Sequence, residues 1–446
     1  MGTMETLAEF VCSFESGRIP EKSVAHAEDL VLDAVGCAAA GFGTGGARAV
    51  RAVAPGRLGA GDATAWYTGS GASTIGATFA NAVAAQALDI DDGHRAALGH
   101  PGAAVIPAAM AVAEEVGASG SEFLAAIVLG YEAAVRLAAN RNMDTHLSIA
   151  TGRWTPVGVA AAAGRLRKLP PDRMKHALLV AEQHAPGLLS AHLHGFGGAH
   201  VKEGIAWSVV TGLFAADLAE AGFTGYPNTL DLPILYDGER IGADLGGTFW
   251  IDRTYIKPYS CCRFMHSGLD VFLQMIAENG LVADDITSVH VDGFTALINL
   301  DNKLDPPNFE ASQFSLPFAF AVAAIEGVDG LAPLKPDFLG RADLVDFAGR
   351  ITMSVDPAVD ALYPAQAASR VTVEARQGTF QGYREDALGD PANPLGRSGI
   401  QDKFRRLAGQ HLDVDRVETM IGAASSLADG GLPVLLGALS DPLARA

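Results

Sequence analysis

Side chains able to carry protons are concentrated between residues 89 and 102. This segment begins Asp-Ile-Asp-Asp-Gly-His-Arg and ends Gly-His-Pro-Gly. Carboxylate and imidazole groups are the usual proton carriers in enzymes, so Asp89, His94 and His100 predict a pocket wall that moves a proton. A polar helix end whose carboxylates cap neighbouring amides is the alternative. The spacing of Asp91 and His94 also allows a pair of metal ligands.

A second segment combines dense glycines with histidines and a lysine. It contains His192, His194 and His200, and Lys202 follows just before an apolar helix predicted to begin near residue 204. A lysine at a helix N-terminus adds its charge to free backbone amides, an arrangement that favours a carboxylate or phosphate ligand. The three histidines could instead bind zinc, and a solvated loop is the third interpretation.

The third segment, residues 255–266, brings two cations, an imidazole and two adjacent thiols into one short stretch. It lies where the sequence pattern changes, and pockets favour the junctions between domains. Lys257 and His266 therefore predict anion binding or acid–base chemistry. A Cys262 nucleophile with a histidine partner is an alternative, as is a simple buried role for the thiol.

Apolar residues recur at helical intervals through most of the first 255 residues, and the many alanines and glycines there permit close helix packing. Beyond residue 250 the pattern changes. Alternating segments predict strands at 286–291, 350–355 and 369–374, helical patterns occupy 266–279 and 318–326, and further helical stretches occupy 399–412 and 417–427. The sequence thus predicts a mainly α protein with an α+β part. An all-α domain covers 1–255, a smaller α+β domain covers 256–395, and C-terminal helices at 396–446 rejoin the first domain.

Composition limits the partners. The 446 residues include 32 Lys and Arg against 51 Asp and Glu, a net charge of −19, which argues against nucleic-acid binding. The first 20 residues lack a basic region before an apolar run, the uncharged run at 63–88 is a poor membrane span, and four cysteines make no disulfide framework. We therefore expect a cytoplasmic protein without a membrane partner. An anionic ligand would require local cations, for which the candidates are Arg95, Lys202, Lys257 and Arg263.

These segments, in this order, resemble the MmgE/PrpD family of 2-methylcitrate dehydratases, cis-aconitate decarboxylases and iminodisuccinate epimerases. The similar stretches, which span nearly the whole chain, are 30–37, 89–92, 100–102, Lys202, 257–259, 261–262, His266, 314–318, 393–394 and 403–404. The resemblance implies a large helical domain, a smaller lid domain, an active site between them, and a homodimer. It also implies that the active-site positions of the family fall on Asp89, His100, Lys202, Lys257 and His266.

The family's reactions break a bond at the carbon next to a carboxylate, and fixed cations stabilise the resulting carbanion. The resemblance therefore implies that Asp89 and His100 move the proton and that His266 or His94 serves as the opposing acid. It assigns the binding of substrate carboxylates to Lys202, Lys257 and Arg263, and we place Arg95 and Cys262 in the same wall. The cis-aconitate decarboxylases carry a histidine where this chain has Cys262, a difference that argues against decarboxylation.

The leading hypothesis is a cofactor-independent hydro-lyase that acts on a small di- or tricarboxylate and holds no metal. An epimerase or a decarboxylase of the same family is the first alternative. A metal-dependent hydrolase is a second, with its candidate ligands being Asp91, His94, His192, His194 and His200. A helical scaffold or binding protein without activity is the third.

Overall fold

Two large hydrophobic cores organise the chain. The computed structural model describes residues 2–146, 148–188 and 198–443. Apolar side chains from 4–256 and 400–443 form the first core, and those from 259–373 form the second. We call residues 2–256 with 396–443 the helical unit, and residues 257–395 the smaller unit. The chain therefore leaves the helical unit near Lys257 and returns to it near Gly396.

The helical unit is built from helices that pack on one another. Its first part contains α1 (Thr3–Ser13), α2 (Glu21–Gly41), α3 (Gly45–Arg57), α4 (Thr74–Gln86), α5 (Gly102–Val116), α6 (Gly120–Ala139), α7 (Thr155–Leu166), α8 (Pro171–Gln183), α9 (Ile205–Glu220) and α10 (Gly238–Gly242). Two short strand pairs accompany them, β1 (Ala63–Ala65) with β2 (Ser70–Ala72) and β3 (Gly93–His94) with β4 (Thr254–Tyr255).

Local sequence explains where these helices begin and how closely they pack. The Ser73 hydroxyl accepts from the amide of Gly76 at the start of α4, and Ser119 forms a capping box with Glu122 at the start of α6. Helices α6 and α7 approach through glycine, because a Cβ on Gly130 would lie 2.9 Å from the carbonyl oxygen of Gly158. The small side chains thus bring helix backbones into contact.

The smaller unit combines a sheet with helices. Its helices are α11 (His266–Asn279), α12 (Thr295–Ile298), α13 (Phe309–Ser312), α14 (Leu316–Glu326), α15 (Val328–Leu331), α16 (Ala342–Ala348) and α17 (Pro357–Asp360), and its strands are β5 (Ile286–Gly293), β6 (Ile351–Val355), β7 (Ser369–Ala375) and β8 (Gly378–Arg384). The strand order is β6-β5-β7-β8, with β6 parallel to β5 and the other pairs antiparallel. Val291 of β5 lies opposite Met353 and Val371.

The C-terminal helices pack against the first part of the helical unit. They are α18 (Gly396–Ala408), α19 (Val414–Ala424) and α20 (Gly431–Ser440). Lys403 of α18 forms a buried ion pair with Asp33 of α2 and donates to the carbonyl oxygen of Ile90 at 2.7 Å. The returning chain thereby holds the loop that follows α4.

The predicted fold class is confirmed, since the described residues are mainly helical with an α+β part. The sequence pattern missed α3, α20 and β8. Strand β8 lies at the sheet edge and is largely solvent-exposed, so its polar residues show no strong alternation. Among the described helices, none is by itself both long and apolar enough to cross a membrane; only α2 and α3 together reach that length and composition, across a bend of 98°.

Candidate active site

The loop between α4 and α5 turns sharply into the space between the two units. Asp89 adopts a left-handed backbone conformation with φ of 52°, which ends the direction set by α4. Further along this loop, Gly93 pairs with Tyr255 and His94 with Thr254. This short ladder ties the loop to the junction segment, so two of the segments singled out from the sequence lie side by side.

A cavity of about 280 Å³ opens between these segments, and we call it the reaction cavity. Six of the nine predicted site residues line it: Asp89, His94, Arg95, His100, Cys262 and Arg263. Its remaining wall is mostly apolar and includes Ile149, Phe264, Leu300 and Phe314. The cavity thus has a charged part and an apolar part, as small-molecule sites commonly do.

His100 is held with one ring nitrogen bound and the other available. Its Nδ1 lies 2.7 Å from the carbonyl oxygen of Asp92, and a carbonyl can only accept, so Nδ1 carries a proton. The neutral ring therefore has its lone pair on Nε2. That atom lies 3.7 Å from Asp89 Oδ1 and 3.9 Å from Glu203 Oε1, beyond hydrogen-bond distance of either. Such a nitrogen can accept a proton from a molecule in the cavity.

Asp89 is an ionised carboxylate in a buried place. Its Oδ2 lies 3.2 Å from Lys257 Nζ, and its Oδ1 lies 4.0 Å from Lys202 Nζ. Burial alone would raise its pKa, but these two ammonium groups and His100 lower the pKa to about 2. Asp89 therefore stays charged at neutral pH and neutralises the nearest cation.

Lys257 does not line the reaction cavity but lies behind Asp89 and is 0% exposed. Burial opposes its charge, yet Asp89 and Asp91 raise its pKa above the ordinary value. The predicted binding of a substrate carboxylate by Lys257 is thus replaced, in this arrangement, by an ion pair with Asp89. Through that pair the lysine orients the carboxylate.

Lys202 also lies outside the cavity wall. Its ammonium donates to the carbonyl oxygens of Gln86 and Ala87 at 3.0 and 3.4 Å and to Gln313 Oε1 at 2.6 Å. An ammonium has three protons, so these acceptors use them all. The observed role of Lys202 is to hold the end of α4 and to place positive charge beside Asp89, rather than to contact substrate.

The two predicted arginines share one acid. Arg95 Nη2 and Arg263 Nη2 each lie 3.0 Å from Oδ2 of Asp390. Arg263 Nη1 donates to the carbonyl oxygen of Leu388, while its buried Nε has no hydrogen-bond partner. Both side chains reach the cavity with donors to spare, which fits the predicted binding of carboxylates.

His266 is not placed for proton transfer, which corrects the prediction. The ring is 0% exposed and lies outside the cavity wall. Its Nδ1 accepts from Arg263 Nη1 at 3.1 Å, and its Nε2 donates to the carbonyl oxygen of Cys261 at 3.1 Å. Burial and the neighbouring charges of Arg263 and Lys257 lower its pKa well below the ordinary value. The neutral ring positions Arg263.

His94 lines the cavity but cannot be the opposing acid at neutral pH. Its ring lies 5.9 Å from that of Trp250, centroid to centroid, and neither ring nitrogen has a hydrogen-bond partner. Burial, reinforced by the charges of Arg253 and Arg95, lowers its pKa to about 3. The ring is therefore neutral, and the sequence-based assignment of an acid role to His94 is wrong for this structure.

Cys262 contributes an uncharged thiol to the cavity. Burial and the charge of Asp89 raise its pKa to about 12, and burial also raises the pKa of Cys261. Because the thiolate is the reactive form, neither cysteine is prepared as a nucleophile. The alternative of cysteine-based covalent catalysis is not supported by this environment.

Two family models match the chain. The MmgE/PrpD N-terminal domain matches residues 5–233, and the MmgE/PrpD C-terminal domain matches residues 259–429. The chain belongs to the MmgE/PrpD family. A cis-aconitate decarboxylase from Aspergillus terreus is 26% identical over 94% of this chain and 91% of its own length. The cis-aconitate decarboxylase of Homo sapiens is 22% identical over 79% of this chain and 76% of its own.

In this member of the MmgE/PrpD family, the metal ligands proposed from the sequence do not form one group. His192 and His194 lie outside the described residues, and His200 lies 3.3 Å from Glu310, away from the reaction cavity. Asp89, Asp91 and His100 do present atoms within 4.8 Å of one another. However, Nδ1 of His100 carries a proton and Asp89 is paired with Lys257, so these groups already have partners.

Several residues at the MmgE/PrpD site were missed from the sequence. Glu203 and Tyr255 line the cavity within segments already singled out, so proximity to Lys202 and Lys257 was an available signal. Asn299 and Tyr363 also line it but come from the smaller unit. No local pattern marks these two, because the folding of distant segments brings them here.

Proposed function

We propose that this protein is a cofactor-independent lyase that removes a proton next to a carboxylate of a small di- or tricarboxylic acid. The observation that carries the proposal is the Nε2 atom of His100, which faces the reaction cavity without a hydrogen bond while Nδ1 is fixed by the carbonyl of Asp92. This is the geometry of a general base, which typically contributes about 10²–10⁴-fold to the rate.

The charged part of the cavity supports an anionic substrate. Arg263 Nε is buried without a partner, and Arg95 has only its Nη2 engaged with Asp390 among the described residues. Guanidinium groups bind carboxylates through paired hydrogen bonds. One substrate carboxylate bound here would place the adjacent carbon within the cavity that His100 lines. The volume of about 280 Å³ restricts the substrate to a small molecule.

The leading reaction is loss of water. His100 Nε2 takes the proton from the carbon beside the carboxylate, the released electron pair forms a carbon–carbon double bond, and the neighbouring carbon–oxygen bond breaks. The leaving oxygen takes a proton from an acid and departs as water. Tyr255 lines the cavity and its pKa is raised by burial, so it keeps its proton at neutral pH and can donate to that oxygen.

Loss of carbon dioxide from the same class of acid is the second candidate. The cis-aconitate decarboxylases related to this chain support it. So does the apolar wall of Phe264, Leu300 and Phe314, since a carboxylate held there would be poorly solvated and more easily lost. The neutral Cys262 thiol would then be the proton donor nearest in position to the histidine that those decarboxylases carry.

Proton exchange in heavy water tests the proposal. Citrate-like, aconitate-like and aspartate-derived acids are incubated with the protein without added cofactor and followed by NMR. We expect deuterium at the carbon beside a carboxylate for at least one acid. An alkene product then identifies dehydration, carbon dioxide identifies decarboxylation, and inversion alone identifies an epimerase. His290→Gln, a change on strand β5 away from the cavity, should behave as the wild type. The absence of exchange with every acid would overturn the proposal.

A further inference from the structure

A second cavity lies beside the reaction cavity, and we call it the outer cavity. It has a volume of about 560 Å³ and shares His94, Arg95, Leu98 and Tyr255 with the reaction cavity. The shared side chains form a partition, so the two spaces are adjacent without having the same lining. The proposed reaction uses none of the residues that line the outer cavity alone.

Arg141 is the unusual residue of the outer cavity. It is only 7% exposed, and among the described residues no carboxylate lies within 4.0 Å of its guanidinium. Its Nη2 donates to the carbonyl oxygen of Ala97 at 3.1 Å, while its buried Nη1 has no hydrogen-bond partner. A buried cation without an opposite charge is costly. This group therefore needs an anion that the described chain does not supply.

The backbone holds Arg141 firmly in this position. Arg141 forms an isolated β-bridge with Tyr236, and the next amide, of Asn142, donates to the carbonyl oxygen of Leu235 at 2.7 Å. The side chain is therefore presented by a fixed backbone just beyond the end of α6. A ligand can bind it without first ordering the chain, which lowers the entropic cost of binding.

Other charges around the outer cavity favour an anion. Arg253 lines it, is exposed, and has its guanidinium carbon 5.0 Å from the centroid of the Trp250 ring. Asp390 also lines it but is shared by two arginines. Asp386 is the opposing carboxylate, and Gln366 donates to it at 3.3 Å. Arg141 and Arg253 thus remain as the two cations without acidic partners.

The remaining wall of the outer cavity is made of hydrocarbon. The apolar residues come from both units and include Leu98, Ala138, Ala139, Met143, Pro364 and Ala365. A polycarboxylate would expose charge to this surface, whereas a molecule with one charged end and an apolar body would match both parts. We propose that the outer cavity binds a monocarboxylate with a hydrocarbon body, its carboxylate on Arg141 and Arg253, independently of the reaction next door.

Calorimetric titration with hexanoate tests this proposal directly. We expect one hexanoate to bind per chain, with hexanol and hexylamine binding at least about tenfold more weakly, because only hexanoate offers the carboxylate. Charged hydrogen bonds of this kind are worth about 1.5–3 kcal/mol, so Arg141→Gln should weaken hexanoate binding about 10- to 150-fold. Arg240→Gln, which changes an exposed arginine elsewhere, should leave the affinity unchanged.

Two cavity-filling variants separate the outer cavity from the reaction cavity and do not depend on Arg141 for folding. Ala365 lines only the outer cavity and Ala296 lines only the reaction cavity. Ala365→Trp should abolish hexanoate binding, and Ala296→Trp should preserve it. The reverse pattern would place hexanoate in the reaction cavity and overturn the proposal, as would equal binding of hexanol or no binding to the wild-type protein. Because these tests measure binding alone, they are independent of whether the proposed reaction occurs.

Discussion

The two segments that meet at the reaction cavity use the same types of side chain in opposite ways. In the loop 89–100, His100 has one nitrogen fixed by a carbonyl and the other unbound at the cavity. In the junction segment 255–266, His266 has both nitrogens hydrogen-bonded and is completely buried. Residue type is therefore the same, but only the first histidine retains an atom that a substrate can reach.

The same contrast holds for the positive charges. Arg263 of the junction segment reaches the cavity with an unpartnered Nε, whereas Lys202 has all three protons bound by acceptors. A polar group whose hydrogen bonds are complete stabilises the fold. A buried group with one unused donor or acceptor is held in place and still available for a ligand. The unused atom, more than the residue type, distinguishes binding and catalysis from support.

Replacing His100 should have the largest effect on activity. Because the proposed proton transfer needs Nε2, we expect His100→Gln to lower kcat/KM by about 10²–10⁴-fold, the usual contribution of a general base. The free energy of unfolding should change by less than about 1 kcal/mol, since the amide can still bond the Asp92 carbonyl. Steady-state kinetics and urea denaturation measure the two quantities. Retention of wild-type proton exchange would remove His100 from the mechanism.

Breaking the Lys257–Asp89 pair should mainly affect stability. Lys257→Met leaves a buried carboxylate without its nearest cation, and breaking such a pair costs about 3–5 kcal/mol of unfolding free energy. Asp89→Asn should destabilise in the same way. The double variant should lose less than the sum of the two single losses, because neither charge is then left alone. Additive losses in urea denaturation would show that the ion pair does not operate as described.

Much of the fold follows from local sequence patterns. The periodicity at 266–279 predicted a helix, and α11 spans His266–Asn279. Alternation predicted three of the four sheet strands, because each of these has one buried face. It failed for β8, which is an edge strand with both faces largely exposed. Helix α3 was also missed, since its sequence is rich in glycine and contains a proline.

The candidate site was only partly predictable. The segments that supply it were located correctly, but the use of each atom depends on contacts far away in the chain. Lys202 is occupied by Gln313, and Arg263 and Arg95 are brought together by Asp390, more than a hundred residues beyond either. No spacing within a segment reports these partners. Residue types can therefore locate such a site, while tertiary contacts decide which of its members meet a ligand.

His266 tests the other side of the comparison. His266→Ala removes the acceptor for Arg263 and the donor to the Cys261 carbonyl and leaves a cavity, so we expect a loss of about 2–4 kcal/mol in unfolding free energy. Activity per folded molecule should fall far less than in His100→Gln. His290→Ala, with a 40% exposed side chain, should cost less than about 1 kcal/mol. A stable His266→Ala protein without activity would return His266 to the reaction.

The smallest expected effect concerns Asp92, the acid that supports His100. Its Oδ2 accepts from the Tyr131 hydroxyl at 2.8 Å and its Oδ1 from the Gly102 amide at 2.9 Å. Burial and the adjacent charge of Asp91 raise its pKa to about 7. In the unfolded chain the group titrates near pH 4, so between about pH 4 and 7 the folded state binds more protons than the unfolded state.

Stability contributed by Asp92 should therefore fall as the pH rises from about 4 to 7 and stay level above that. Other groups add their own slopes, so the informative quantity is the difference between wild type and Asp92→Asn, whose amide resembles the protonated acid. Relative to the wild type, the variant should gain urea resistance steadily across this range. Asp292→Asn, on strand β5, is the matched control and should show no such trend. A difference that does not vary with pH would mean that Asp92 is ionised beside Asp91 throughout, and the lysines would then have to balance one more buried negative charge than this arrangement provides.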